Sequence, residues 1–238
     1  MSVAPIQYVV IGLGRFGIKL CRKLVGRGLE VHALTMKSEF PMDLVEEVRD
    51  LRTLDYTSPV ALKQFVDQME GETYYFIAIG NSFENSLSVA ACLRSFEVEH
   101  LYVRVINENH AQLINLLGLN PIDLASSTAS TFASLIRSPK FRRAIPVDEN
   151  YTVAEMELPL AYVGASLKQI PLRQEFKLNL VSFRRDGVYC GTPGPNTVFR
   201  EGDLLLLYGQ EDELLVFANT DDEELQAGLE RRKKELEK

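Results

Sequence analysis

The amino-acid sequence predicts an α/β protein, a Rossmann-type doubly wound parallel sheet of six strands followed by a second, smaller α+β unit. Three observations carry that reading. Short apolar runs alternate with helical patterns up to about residue 138. A glycine-rich segment stands between the first run and the first helix. Beyond residue 150 the alternation gives way to short strand patterns separated by turn signals. Strands covered by helices on both faces are continuously apolar, which is how the first half reads.

Residues 8–11 form the first such run and end at Gly12. Phe16, Leu20 and Leu24 recur at spacing four beside Cys21 and Val25, so a helix opens near Arg15, and Gly28 is placed to close it. Residues 31–34, 51–54, 74–79, 101–105 and 122–124 supply the remaining five strands. Ser58-Pro59 caps a helix that turns Leu62, Phe65, Val66 and Met69 inward. Leu87, Ala90, Ala91 and Leu93 mark the next helix, Asn107 caps one running to Leu117, and residues 128–137 form the last of this half. Residues 1–138 are therefore assigned to the Rossmann domain. Residues 139–149, polar with Arg142, Arg143 and Pro146, read as a connector.

Residues 150–217 read as the small domain. They hold a strand over 153–158, a short helix over 165–170 and a strand over 178–183. A hairpin turn at Asp186-Gly187 follows, then a turn at Glu201-Gly202-Asp203 into an apolar strand over 204–208, and a covering helix over 212–218. Residues 218–238 form a charged tail, acidic at Asp221 to Glu224 and basic at Arg231 to Lys234, the order that suits a helix dipole. A solvated helix and an oligomer contact are both open for it.

Composition narrows function. Of the 238 residues 46% are hydrophobic and 25% charged, as in a soluble globular protein. No window reaches the roughly 20 apolar residues of a membrane-spanning helix, so a membrane role would come through a partner. The first five residues lack a secretory signal pattern, and a cytoplasmic location is expected. Cys21, Cys92 and Cys190 are odd in number and far apart, which fits neither a disulfide framework nor a zinc site; buried free thiols are expected. A formal net charge of −7 argues against nucleic acid as a partner.

Gly12-Leu13-Gly14-Arg15-Phe16-Gly17 matches G-x-G-x-x-G and lies after a strand and at the opening of a helix. Gly12 permits the tight turn, Gly14 lets a pyrophosphate approach the backbone, and Gly17 lets helix and strand pack. The helix N-terminus supplies amide donors, and Arg15 adds a charge. The acidic residue that usually holds a ribose hydroxyl at the end of the second strand is replaced by Thr35. Lys37 nearby either favours an extra phosphate or is an ordinary surface lysine. Asp55, Gly80, Asn81 and Arg104 fall at strand ends along the same edge, where ligands of open sheets bind.

Three segments, Val10 to Gly17, Phe76 to Gly80 and Arg200-Glu201-Gly202-Asp203-Leu204, together resemble the RCK (regulator of potassium conductance) family of KtrA and TrkA type, over about residues 6 to 217. The resemblance implies a nucleotide-binding regulatory subunit that gates a membrane potassium channel or transporter. It further implies a homodimer assembling into an octameric ring that changes shape with bound ATP, ADP or NAD(H). Carried over by position, Gly12, Gly14, Arg15 and Gly17 would hold phosphates, with Phe16 inside the same loop. Thr35 and Asp55 would face ribose and adenine, and Arg104 would stand near the phosphates. Ser126 departs from relatives that carry a glutamate there for the terminal phosphate or its metal. The second domain resembles a module that binds cyclic di-AMP in some relatives. Its candidates here, Leu167, Ile170 and Pro171, are equally well explained as core and turn.

No catalytic set accompanies the loop. His32, His100 and His110 read as structural or exposed, no acidic cluster has metal-ligand spacing, and Ser126, Ser127 and Ser130 lack nucleophile-elbow glycines. A regulator without enzymatic activity is expected. The alternatives are an NAD(P)-dependent oxidoreductase, which would need a proton donor beside the nicotinamide, and an assembly protein with a vestigial loop.

Overall fold

The computed structural model describes residues 6–221. The chain divides between Leu124 and Ala125 into two compact units. In the first, β1 (Gln7–Ile11), β2 (Glu30–Thr35), β3 (Asp50–Thr53), β4 (Thr73–Ile77), β5 (His100–Arg104) and β6 (Asn120–Ile122) form one parallel sheet. The order is β3-β2-β1-β4-β5-β6. β1 lies between β2 and β4, with Val10 opposite Ala33 on one side and Phe76 on the other. The chain therefore reverses its direction of build beside β1, and the carboxyl ends of β1 and β4 open a crevice there.

Successive β1 residues feed opposite faces. Val10 joins Cys21, Val31, Ala33 and Leu44 beneath α1 (Arg15–Val25) and α2 (Met42–Glu47). Val9 and Ile11 join Leu62, Ile77, Leu93, Leu101 and Ile114 beneath α3 (Pro59–Val66), α4 (Phe83–Ser95) and α5 (Glu108–Leu116). The expected caps form: Ser58 accepts the Ala61 N–H at 3.4 Å and Asn107 accepts the His110 N–H at 2.9 Å. α2 was not expected, being six residues long and preceded by Pro41 with no side-chain cap. β6 falls two residues earlier than its pattern implied, and Pro121 is tolerated there because an edge strand has a free side.

α6 (Leu124–Ile136) leads into the second unit. Its sheet is antiparallel, β10-β9-β11-β8-β7, built from β7 (Phe141–Pro146), β8 (Tyr151–Glu157), β9 (Asn179–Arg185), β10 (Val188–Tyr189) and β11 (Leu204–Gln210). α7 (Glu211–Ala218) packs Leu214, Leu215 and Phe217 into its core. The connector expected over 139–149 is corrected: its middle is β7, paired antiparallel with β8. Phe141 and Ala144 point inward while Arg142, Arg143 and Ile145 are exposed, and an edge strand carrying charge and proline is hard to tell from a linker. The Asp186-Gly187 turn forms the β9–β10 hairpin with φ of 50° and 81°. Of the three thiols, Cys21 is buried, with burial pushing its pKa up to about 12, and Cys92 is partly buried. Cys190 is exposed, which corrects the expectation for that residue, since it follows the short edge strand β10. Residues 1–5, and the tail from 222 onward, lie outside the described residues.

The Arg200–Leu204 segment has a structural cause. Asp203, 1% exposed, binds Arg185 through both carboxylate oxygens at 2.8 and 2.6 Å and accepts the Arg200 N–H at 2.8 Å, while Gly202 takes φ +85°. Burial alone pushes the Asp203 carboxyl up, but the Arg185 and Arg200 donors outweigh it and hold it below the usual range. A depressed carboxyl stabilises the fold above its unfolded pKa of about 3.9, and that contribution disappears as pH falls through the folded value. Asp203→Asn is expected to cost about 3 kcal/mol at neutral pH, the low end for a broken buried pair because the Arg185 side chain remains 23% exposed. Urea titrations at several pH values should show the variant losing less further stability than the parent below about pH 4.

Candidate functional site

The crevice at the β1–β4 reversal is a cavity of about 440 Å³. Its floor is the turn from β1 into α1. Gly12 takes φ +100°, and a Cβ there would lie 3.2 Å from the Ile79 backbone nitrogen. A Cβ at Gly17 would collide with the Gly12 carbonyl oxygen, so Gly17 sets how closely α1 packs against the strand. Gly14 differs from both. It is exposed, its φ of −81° and ψ of −174° are open to any residue, and a Cβ there would meet nothing within 4 Å. The protein itself therefore does not require glycine at 14, whereas a ligand pressed onto the backbone would.

α1 begins at that point with no side-chain cap and no acidic residue in its first turn, leaving its leading amides for a ligand. α3, α4 and α5 are each capped by their own Ser58, Ser82 or Asn107. Arg15, Lys37 and Arg104 all line the crevice, and none of its lining residues is acidic. Arg104 comes from the end of β5 and lies across Gly80, where any Cβ would collide with the guanidinium. Its Cζ stands 5.8 Å from the centre of the Phe16 ring, and its buried Nε has no hydrogen-bond partner. A desolvated donor beside free helix amides, in a cavity without carboxylates, attracts an anion.

Of the residues expected at the site, Gly12, Gly14, Arg15, Thr35, Gly80, Asn81 and Arg104 line the crevice. Phe16 and Gly17 do not; Phe16 lies under Arg104 and Gly17 under the loop. Thr35 is almost fully buried at the end of β2, and its Oγ1 accepts the Lys37 N–H at 3.1 Å. Asp55 is exposed and outside the crevice lining, with Oδ1 accepting the Thr57 N–H at 3.1 Å. Met36, Tyr56 and Asn85 also line the cavity and were not singled out in the sequence. Burial, then the Asp55 charge, raises the Tyr56 phenol, so it stands neutral at the wall as a donor. Met36 directly follows β2, Tyr56 stands three residues beyond β3, and Asn85 lies in the first turn of α4.

None of the histidines lines the crevice. His32 packs edge-on to Phe65 and His110 edge-on to Phe83, both with pKa lowered chiefly by burial. His100 stacks on Tyr74 at 4.3 Å. Among the described residues no three His, Cys, Asp or Glu side chains gather as metal ligands, and no helix is long and apolar enough to cross a membrane. In the second unit Ile170 belongs to the core and Leu167 packs against it. Ser126 lies in a hydroxyl-rich groove of that unit with Ser130, Thr131 and Glu211.

A Rossmann unit with a glycine-loop crevice, followed by a small antiparallel α+β unit, defines the class of protein. The chain matches the TrkA-N domain over residues 8–124 and the TrkA-C domain over 153–222, and it belongs to the RCK family of KtrA and TrkA type. It is 22% identical over 214 residues to Ktr system potassium uptake protein A of Bacillus subtilis, covering 90% of this chain and 96% of that protein. It is likewise 22% identical to Ktr system potassium uptake protein C of the same organism, covering 89% and 95%. Among solved structures the GsuK RCK domain superposes with a TM-score of 0.58 at 18% identity, over 90% of this chain. The GsuK channel bound to NAD does so with 0.57 at 19%, again over 90%. The chain spans 48% and 39% of those two chains, and the likeness establishes the fold.

The glycine geometry separates fold from function. Gly17→Ala forces the β1–α1 contact apart and is expected to cost at least about 1–3 kcal/mol in chemical denaturation.

Proposed function

We propose that this chain is a nucleotide-sensing regulatory subunit of a potassium uptake system, acting from the cytoplasmic side on a membrane-embedded channel or transporter subunit, and that it is not an enzyme. The observation that carries the proposal is the acid-free crevice at the sheet reversal, where Arg15, Lys37 and Arg104 converge with the uncapped start of α1 in a protein of net charge −7. Such a crevice selects a ligand with clustered phosphates. Adenine nucleotides, ATP, ADP or NAD(H), meet that requirement, and an NAD-bound channel is among the structures of like fold. Potassium uptake proteins are the full-length relatives, which supports the transport role.

In this reading Gly12, Gly14 and the α1 amides cradle the phosphates, with Arg15 and Arg104 supplying charge. Phe16 and Gly80 hold the Arg104 guanidinium in place. Thr35 and Tyr56 face the nucleoside side, and Asn81 and Asn85 the opposite wall. Regulation then needs no chemistry, because a nucleotide that binds one arrangement of a homodimer-based ring better than another shifts the population by its difference in affinity. Cyclic di-AMP at the second unit is a separate possibility within the same scheme.

Gly14→Asp tests the site without disturbing the fold. Aspartate is a good N-cap at this backbone geometry and places a carboxylate where a phosphate would sit. The variant is expected to match or exceed the parent in thermal stability while losing the shift that a nucleotide produces. That shift should amount to roughly 2.7 kcal/mol at one hundred times the dissociation constant. Scanning ATP, ADP, AMP, NAD, NADH, NADPH and cyclic di-AMP identifies the ligand, and no shift with any of them would remove nucleotide sensing.

A further inference from the structure

The nucleoside end of the crevice is unusual in its supply of donors over acceptors. At the end of a second Rossmann strand a ribose diol is ordinarily gripped by a carboxylate, which accepts from both hydroxyls. Here Thr35 stands at that place, and its Oγ1 already accepts the Lys37 N–H at 3.1 Å, leaving the hydroxyl proton to donate. Lys37 lines the crevice and has no ion pair among the described residues. Asp55, which follows β3 along this edge, is outside the crevice lining and accepts from the Thr57 N–H, and Glu39, two residues beyond Lys37, is outside it as well. What remains at this end is a hydroxyl donor and an ammonium, with no carboxylate among the lining residues. A ribose diol, which donates two protons, finds no acceptor of the usual kind. A phosphate, which only accepts, finds two donors and a charge.

Arg15 and Arg104 stand at the other side of the glycine loop, with the free amides of α1. The crevice therefore holds two cationic places, one at the loop and one at the end of β2. We infer that the site is selective for an adenosine phosphorylated on its ribose ring as well as at the 5′ position, the chemistry shared by NADP(H), with a 2′-phosphate, and coenzyme A, with a 3′-phosphate. This rests on the nucleotide-binding reading above and sharpens its ligand class: the signal would be carried by a ribose-phosphorylated adenine nucleotide in preference to NAD(H), ADP or ATP.

The test is isothermal titration calorimetry of the full chain with two pairs of ligands that differ by one phosphate, NADP+ against NAD+ and coenzyme A against dephospho-coenzyme A. A preference of about tenfold or more for the phosphorylated member of a pair is expected, the size of one charge-assisted contact, and the pair that shows it distinguishes the 2′ from the 3′ source. Lys37 is exposed, so Lys37→Ala should fold normally, checked by circular dichroism, and bring that ratio close to one by weakening the phosphorylated member of the pair far more than its unphosphorylated partner. Lys37→Arg should keep the preference. Equal or tighter binding of the unphosphorylated member in both pairs, or a preference that survives Lys37→Ala, would overturn the inference and leave the nucleotide site standing. Failure of all four ligands and of ATP and ADP would overturn the site itself and this inference with it.

Discussion

The carbonyl oxygen of Gly12 occupies the space that the Cβ of any other residue at position 17 would need. That contact fixes how deeply the first turn of α1 settles against the end of β1, and it fixes where the helix axis points. Gly12, in a left-handed conformation, completes the turn within van der Waals range of Ile79 beyond the end of β4. The helix opening and the ends of β1 and β4 are thus locked together by backbone packing alone. Side chains from β2, β3 and β5 then arrive around a point already set. The geometry of the crevice is set by the backbone, which is the condition under which oriented amides act on an anion without being reorganised by it.

Charge is the second organising feature. Several arginines among the described residues pair with carboxylates: Arg22 with Asp43 and Glu47, Arg137 with Glu211 and Asp212, Arg184 with Glu155, Arg185 with Asp203. Arg104 is held instead by an aromatic face and by the bare backbone of Gly80, groups that position a guanidinium without neutralising it. A carboxylate in the same place would compete directly with any phosphate. The chain carries seven more acidic than basic residues, yet keeps acids off this one lining. The charges that line the crevice are therefore opposite in sign to the net charge of the molecule.

The parts of this architecture visible in the sequence are those where one residue type has one physical use. Strands covered on both faces are continuously apolar, so β1, β2, β4 and β5 stand out, and glycines at fixed offsets after β1 announce the turn. β7 was hidden because an edge strand alternates and tolerates charge and proline, so Arg142, Arg143 and Pro146 resemble a linker until β8 is placed beside them. α2 was hidden by brevity. At the crevice, Tyr56, Met36 and Asn85 come from three separate strand or helix ends that only the β3-β2-β1-β4 order brings together. Asp55 illustrates the converse: its place at a strand end pointed to the crevice, while the local Asp-Tyr-Thr sequence gives its carboxylate an acceptor role toward Thr57.

A regulator of the kind proposed would transmit a signal only through differential binding. The crevice draws Lys37 from the end of β2 and Arg104 from the end of β5, on opposite sides of the reversal. A ligand that touches both is a strut across the sheet, and any arrangement that changes their spacing changes its affinity. Coupling energies between sites are typically about 1–3 kcal/mol, comparable to one or two charge-assisted contacts. One cation gained or lost at the nucleoside end is then enough to reverse the preferred state, even with the phosphate cradle untouched. Under the proposed function the glycine loop would supply affinity that every nucleotide shares, and discrimination between signals would fall to the few side chains at its margins.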